Sequence, residues 1–130
     1  VSRTVPPGEI LDHDEIALLR RGLGEWGGPA RPSRSLAVAL GAEDPADLLE
    51  QCGRLRSALA ADQPLAPLDW ARVLFAVEIV FASDLQGSGV DWPTTTGYSD
   101  QETITALRVI QRKLGPVLRD VYGQSLSRNP

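Results

Sequence analysis

The chain has 130 residues, 42% of them hydrophobic and 23% charged, the make-up of one globular domain with a single core rather than of a disordered chain or two ordinary domains. Its formal net charge of −4 and isoelectric point near 4.9 leave no basic field for phosphate backbones, so nucleic acid is not the expected partner. The single cysteine, Cys52, excludes an internal disulfide framework and fits a reducing, cytoplasmic compartment, while the longest apolar stretch, residues 70–82, is broken by Arg72 and Glu78 and is too short to span a bilayer.

Residues 1–8, with Pro6, Pro7 and Gly8, read as a flexible N-terminal tail; a single helical domain is expected over 9–123, followed by a second tail over 124–130. The first helix starts near Asp12 or Asp14: Asp12 and Glu15 have capping-box spacing, and Ile16, Leu19 and Leu23 follow at helical intervals. His13, the only histidine, lies at this exposed start without histidine or cysteine neighbours, so no metal site is expected. The glycines and prolines of 24–34 form a loop in which Trp26 covers the core. Ser33 or Ser35 then caps a short helix that ends at Gly41.

The next helix, over about 45–60, has clear punctuation. Asp44 is its N-cap and Pro45 its first residue, and Leu48, Cys52, Leu55 and Leu59 form a core-facing stripe that makes Cys52 a small buried hydrophobe. Two helices joined by a short turn also resemble the outline of a helix-turn-helix. Glu43, Asp44, Asp47 and Glu50 crowd the turn and the start of the second helix, where phosphates would be repelled, and this disfavours DNA binding.

Residues 67–85 read as a central hydrophobic helix. At about 100° per residue its polar positions Asp69, Arg72, Ser83 and Asp84 share one arc about 120° wide, the expected wet face, while Glu78 falls on the far side among Leu74, Phe75, Phe81 and Ala82. A carboxylate there needs a partner, and Arg108 or Arg112 of a later helix is the candidate for a buried ion pair; the alternative is a functional carboxylate. The loop 86–98 combines three glycines with Asp91, Trp92, Thr94, Thr95, Thr96 and Tyr98, oxygen donors and acceptors beside flat apolar surface, a composition suited to a binding site. Ser99 and Glu102 form a capping box for a helix over 100–114 with Thr103, Leu107, Ile110 and Leu114 on one side; Gly115 and Pro116 end it, and a short helix over 116–122 closes at Gly123.

The fold expected is therefore all-α, a small single-domain array of about five to six helices around residues 67–85, with little or no sheet. No histidine or exposed cysteine is placed to activate a nucleophile, and no phosphate loop or paired-cysteine motif is present, so enzyme activity, which would have to use Glu78 and Asp91, ranks behind binding, and no cofactor or metal is expected. The favoured expectation is a small acidic interaction module, regulatory or antidote-like, that takes a protein partner, or alternatively a small ligand, through the 86–98 loop; a homodimer covering the apolar central helix is a further expectation.

Overall fold

The computed structural model describes residues 4–127, without the side chains of Asp120 and residues 122–127. It contains α1 (Pro7–Ile10), α2 (His13–Glu25), α3 (Arg34–Ala39), α4 (Pro45–Ala60), α5 (Pro67–Ala82), a 3-10 turn (Gly89–Asp91), α6 (Trp92–Thr96) and α7 (Asp100–Ser127). The fold is all-α, and among the described residues the only extended pairings are isolated bridges, Val5 with Leu65 and Trp26 with Ala30.

Local chemistry sets the helix starts. At α2 the Glu15 N–H donates to Asp12 Oδ1 at 2.8 Å and the Asp12 N–H donates to Glu15 Oε1 at 2.9 Å, a reciprocal capping box. Ser99 and Glu102 repeat it at α7, with distances of 3.0 and 3.1 Å. Ser33 caps α3 through the Leu36 N–H, and Asp44 caps α4 through the Asp47 N–H, each satisfying a donor that no helical carbonyl reaches.

The core lies where α5 crosses α2 on one side and runs along α7 on the other, and α4 closes it by packing on α2. Trp70, Val73, Val77 and Val80 of α5 are fully buried, with Leu19 of α2 and Ile110 and Leu114 of α7. Gly22 permits this approach: a Cβ there would stand 2.8 Å from Val77 Cγ1, inside contact distance. Each tryptophan N–H finds an acceptor within this core, Trp26 at the Ala76 carbonyl, Trp70 at the Val5 carbonyl and Trp92 at Thr103 Oγ1.

Several expectations change. From Thr4 onward the N-terminal segment is not a tail: Val5 is buried and exchanges two backbone hydrogen bonds with Leu65, and Pro7 opens α1; residues 1–3 lie outside the described residues. α7 does not stop at Gly115 and Pro116 but continues to Ser127 with Pro116 inside it, so the separate helix over 116–122 and the stop at Gly123 do not occur. Leu118 extends the buried row Leu107, Ile110 and Leu114 past the proline, and that packing offsets the lost N–H and the ring's crowding of the preceding turn, about 3 kcal/mol in a free helix. Of the expected C-terminal tail, 124–127 is helical backbone and 128–130 lies outside the described residues.

α5 ends at Ala82 and is rotated relative to the expected wet face. Leu68, Phe75 and Ala82 are exposed and Arg72 and Ile79 half-buried, a stripe centred about 100° from the middle of the arc that the polar residues suggest. Asp69 lies at its edge and bonds Arg54 at 3.1 Å and Arg72 at 3.2 Å. Glu78 flanks the other edge, half-buried, rather than facing the interior.

Candidate functional site

The crossover from α5 to α7 is folded tightly. After Ala82 the Ser88 N–H turns back to the Val80 carbonyl at 2.6 Å, the Gly87 N–H reaches the Ser83 carbonyl at 3.1 Å, and Ser83 Oγ accepts from the Gln86 N–H. Asp84 Oδ1 accepts the Val90 N–H at 2.7 Å, which draws the chain across the Asp84 backbone. Only glycine fits at 89, where φ is +46° and a Cβ would come within 2.1 Å of Asp84 Oδ1. The expected loop thus holds two short helical pieces, the 3-10 turn and α6, with Gly97 closing α6 through its N–H to the Pro93 carbonyl.

Its inner side is anchored in the core. Trp92 is fully buried, meets Phe81 edge to face with centroids 5.4 Å apart, and donates to Thr103 Oγ1 at 2.8 Å. Ser88, also buried, donates its hydroxyl to Glu25 Oε1 at 2.9 Å, and Thr95 Oγ1 donates to the same oxygen. Arg21 donates to the Thr95 carbonyl. Glu25 is 4% exposed and closes α2, so two hydroxyls from the crossover satisfy a carboxylate that would otherwise be costly to bury.

This arrangement redistributes the expected binding residues. Trp92 faces the core and is no recognition surface. Thr95 is held by Glu25; Thr96 donates its hydroxyl to the Trp92 carbonyl at 2.7 Å and accepts the Tyr98 N–H, which leaves their hydroxyls in structural roles. Tyr98 is half-buried against the core and lines a pocket of about 280 Å³ with Leu18 and Ala106. Three of the four carboxylates around that pocket already act in caps and pairs: Asp12 with Glu15, Glu15 with Lys113 at 2.7 Å, and Glu102 with Ser99. Asp91 and Thr94 are exposed, as a contact surface requires. The crossover also exposes two apolar side chains, Leu85, expected at the end of the central helix, at 95% and Val90 at 78% exposure.

The proposed ion pair of Glu78 with Arg108 or Arg112 is not formed. Glu78 Oε2 accepts from Gln111 Nε2 at 2.5 Å, and Arg108 reaches this couple only through Gln111 Oε1, at 3.3 Å. The geometry of α7 explains it: Gln111 stands on the shoulder of the buried row, whereas Arg112, about 100° further round, points outward and is exposed. No described hydrogen bond joins Glu78 to Asp91; Glu78 is taken by Gln111. Glu25, with Glu15 one of two buried carboxylates among the described residues, was hidden in plain pattern: Leu18, Gly22 and Glu25 are spaced four and three along the inner face of α2.

Cys52 is buried in the core, and desolvation pushes its thiol up to about 11. Among the described residues no group of three or more His, Cys, Asp or Glu side chains is placed to hold a metal ion, and no helix is long and apolar enough to cross a membrane. The chain matches no known protein family, no curated protein and no solved structure.

Proposed function

We propose that this chain is a small acidic interaction module that engages a protein partner through the outer face of the crossover between α5 and α7. The observation that carries the reading is the pairing of a fixed scaffold with an exposed apolar tip. Leu85 and Val90 stand almost wholly in solvent on a segment held from within by Trp92, Ser88, Thr95 and Glu25. A rigid segment loses little conformational freedom on docking, so two aliphatic side chains displayed on it contribute more to affinity than the same pair on a floppy loop. Asp91 and Thr94 provide a polar rim, and the net charge of −4 favours a basic partner, as for an antidote protein or the target of a regulator. A cytoplasmic address accords with one unpaired, buried cysteine.

The test is affinity capture from the source organism with wild type and a Leu85→Asp/Val90→Asp variant. A stoichiometric partner retained by the first and lost by the second, at unchanged thermal stability, supports the module. Equal capture by both variants, or no stoichiometric partner at all, defeats it.

A further inference from the structure

A second feature lies on the opposite end of α2 from Glu25. His13, Ile16, Ala17 and Arg20 are spaced three, one and three, which puts them on one face of the helix, and that face forms a wall of a pocket of about 430 Å³. Leu59 and Ala60 at the end of α4, with Leu11 and Gly8, also line it. The volume is within the range of small-ligand sites, and most of the lining is aliphatic.

Arg20 is what distinguishes this pocket from a packing defect. No protein acceptor reaches its Nε, although that atom is shut off from solvent. Acidic side chains outnumber basic ones, 17 to 13, yet none of the described carboxylates pairs with this guanidinium. The carboxylate that lines the same pocket, Asp62, is turned to the Gly8 N–H at 2.7 Å, where it holds α1 to the end of α4. Nε itself, sealed from solvent, lies out of an external ligand's reach, but no described acceptor takes the two terminal nitrogens of the same fork, and a planar carboxylate matches that pair with two parallel hydrogen bonds. His13, about two turns before Arg20 on the same face of α2, also lines the pocket.

We propose that this pocket binds a small amphipathic carboxylate, its acid group on Arg20 and its hydrocarbon against Leu11, Ile16 and Leu59. The inference is independent of the protein-docking face: it uses other helices and shares no residue with Leu85 or Val90.

Octanoate is the probe, with octanol and octylammonium as matched controls. Calorimetric titration should give saturable octanoate binding with a Kd at or below about 1 mM, and amide shifts confined to residues 8–20 and 58–62. Octanol and octylammonium, which keep the tail and lose the anion, should bind at least about tenfold more weakly, and Arg20→Gln should weaken octanoate by a similar factor. Ala17→Phe, which fills the pocket and keeps the guanidinium, should also abolish binding, and it decides the matter if Arg20→Gln fails to fold. Leu85→Asp/Val90→Asp should bind octanoate like wild type, which separates failure here from failure of the docking face. Four results would each overturn the proposal: no saturation by about 10 mM octanoate, equal binding of octanol, undiminished affinity in Ala17→Phe, or shifts that map instead to Leu68 and Phe75 of α5.

Discussion

Trp92 is flat, polar at one end and set among threonines and glycines, attributes that suit a ligand platform and a core plug equally well. Its ring is fully buried on Phe81 and its N–H is taken by Thr103, so truncation empties core volume and removes one of the two hydrogen bonds of the Thr103 hydroxyl. Trp92→Ala should therefore cost about 3–5 kcal/mol in urea unfolding, and any partner it loses is lost through the fold. The Leu85 and Val90 substitutions are the opposite case, since their side chains have almost no contacts to lose. Cys52 makes a third test of burial at this scale. With its thiol raised to about 11, native protein should react with an alkylating reagent at about pH 8 far more slowly than the same chain in urea, and equal rates would place the thiol at the surface.

The crossing of α2 and α5 turns on a glycine that sequence periodicity treats as a weakness. In an isolated helix Gly22→Ala would stabilise by up to about 1 kcal/mol, yet here the added carbon meets both methyls of Val77, at 2.8 and 2.9 Å, and the clash should outweigh the gain, with a net loss of about 1–2 kcal/mol. In a Val77→Ala background the same substitution should be neutral or stabilising, so a double-mutant cycle in urea reads the contact directly. The start of every capped helix, α2, α3, α4 and α7, was legible because Asp12, Ser33, Asp44 and Ser99 act within three residues of themselves. The orientation of α5 was not, because all of its residues but Asp69, Arg72 and Glu78 are apolar and the polar minority pointed to the wrong arc; only the packing of α2 and α7 selects which apolar side chains go inside. The same limit hid the continuity of α7, where the local signal at Gly115 and Pro116 is a stop and the tertiary signal at Leu118 overrides it. The crossover's composition marked it as unusual, but which side of it faces the core depends on Glu25, some 60 residues earlier in the chain.

Across the molecule, stability should vary with pH in a way that the charged contacts dictate. Burial by itself would raise Asp69, but the hydrogen bonds and charges of Arg54 and Arg72 outweigh it and hold the carboxyl below its usual value. Glu102 is likewise lowered, by the Ser99 N–H and hydroxyl. A carboxyl lowered by folding contributes stability that is complete above its unfolded value, about 4, and that disappears as pH falls through the folded one. Lys113 is shifted the other way, raised chiefly by its hydrogen bond to Glu15, so its contribution is complete below the ordinary lysine value and disappears as pH climbs through the raised one. Cys52, pushed up to about 11 by burial, likewise favours the folded state less from the ordinary thiol value upward, so unfolding free energy should be level between about pH 5 and about pH 8 and decline on both sides. Asp69→Asn isolates the acid limb. Because Arg54 is half-exposed and water screens the pair, the substitution should lower stability at about pH 7 by less than about 1 kcal/mol. That difference should shrink steadily as pH falls below about 4, as the wild-type carboxyl loses its charge too; a gap that stays constant down the acid limb in urea titrations would mean that Asp69 acts through packing and not through its ion pairs.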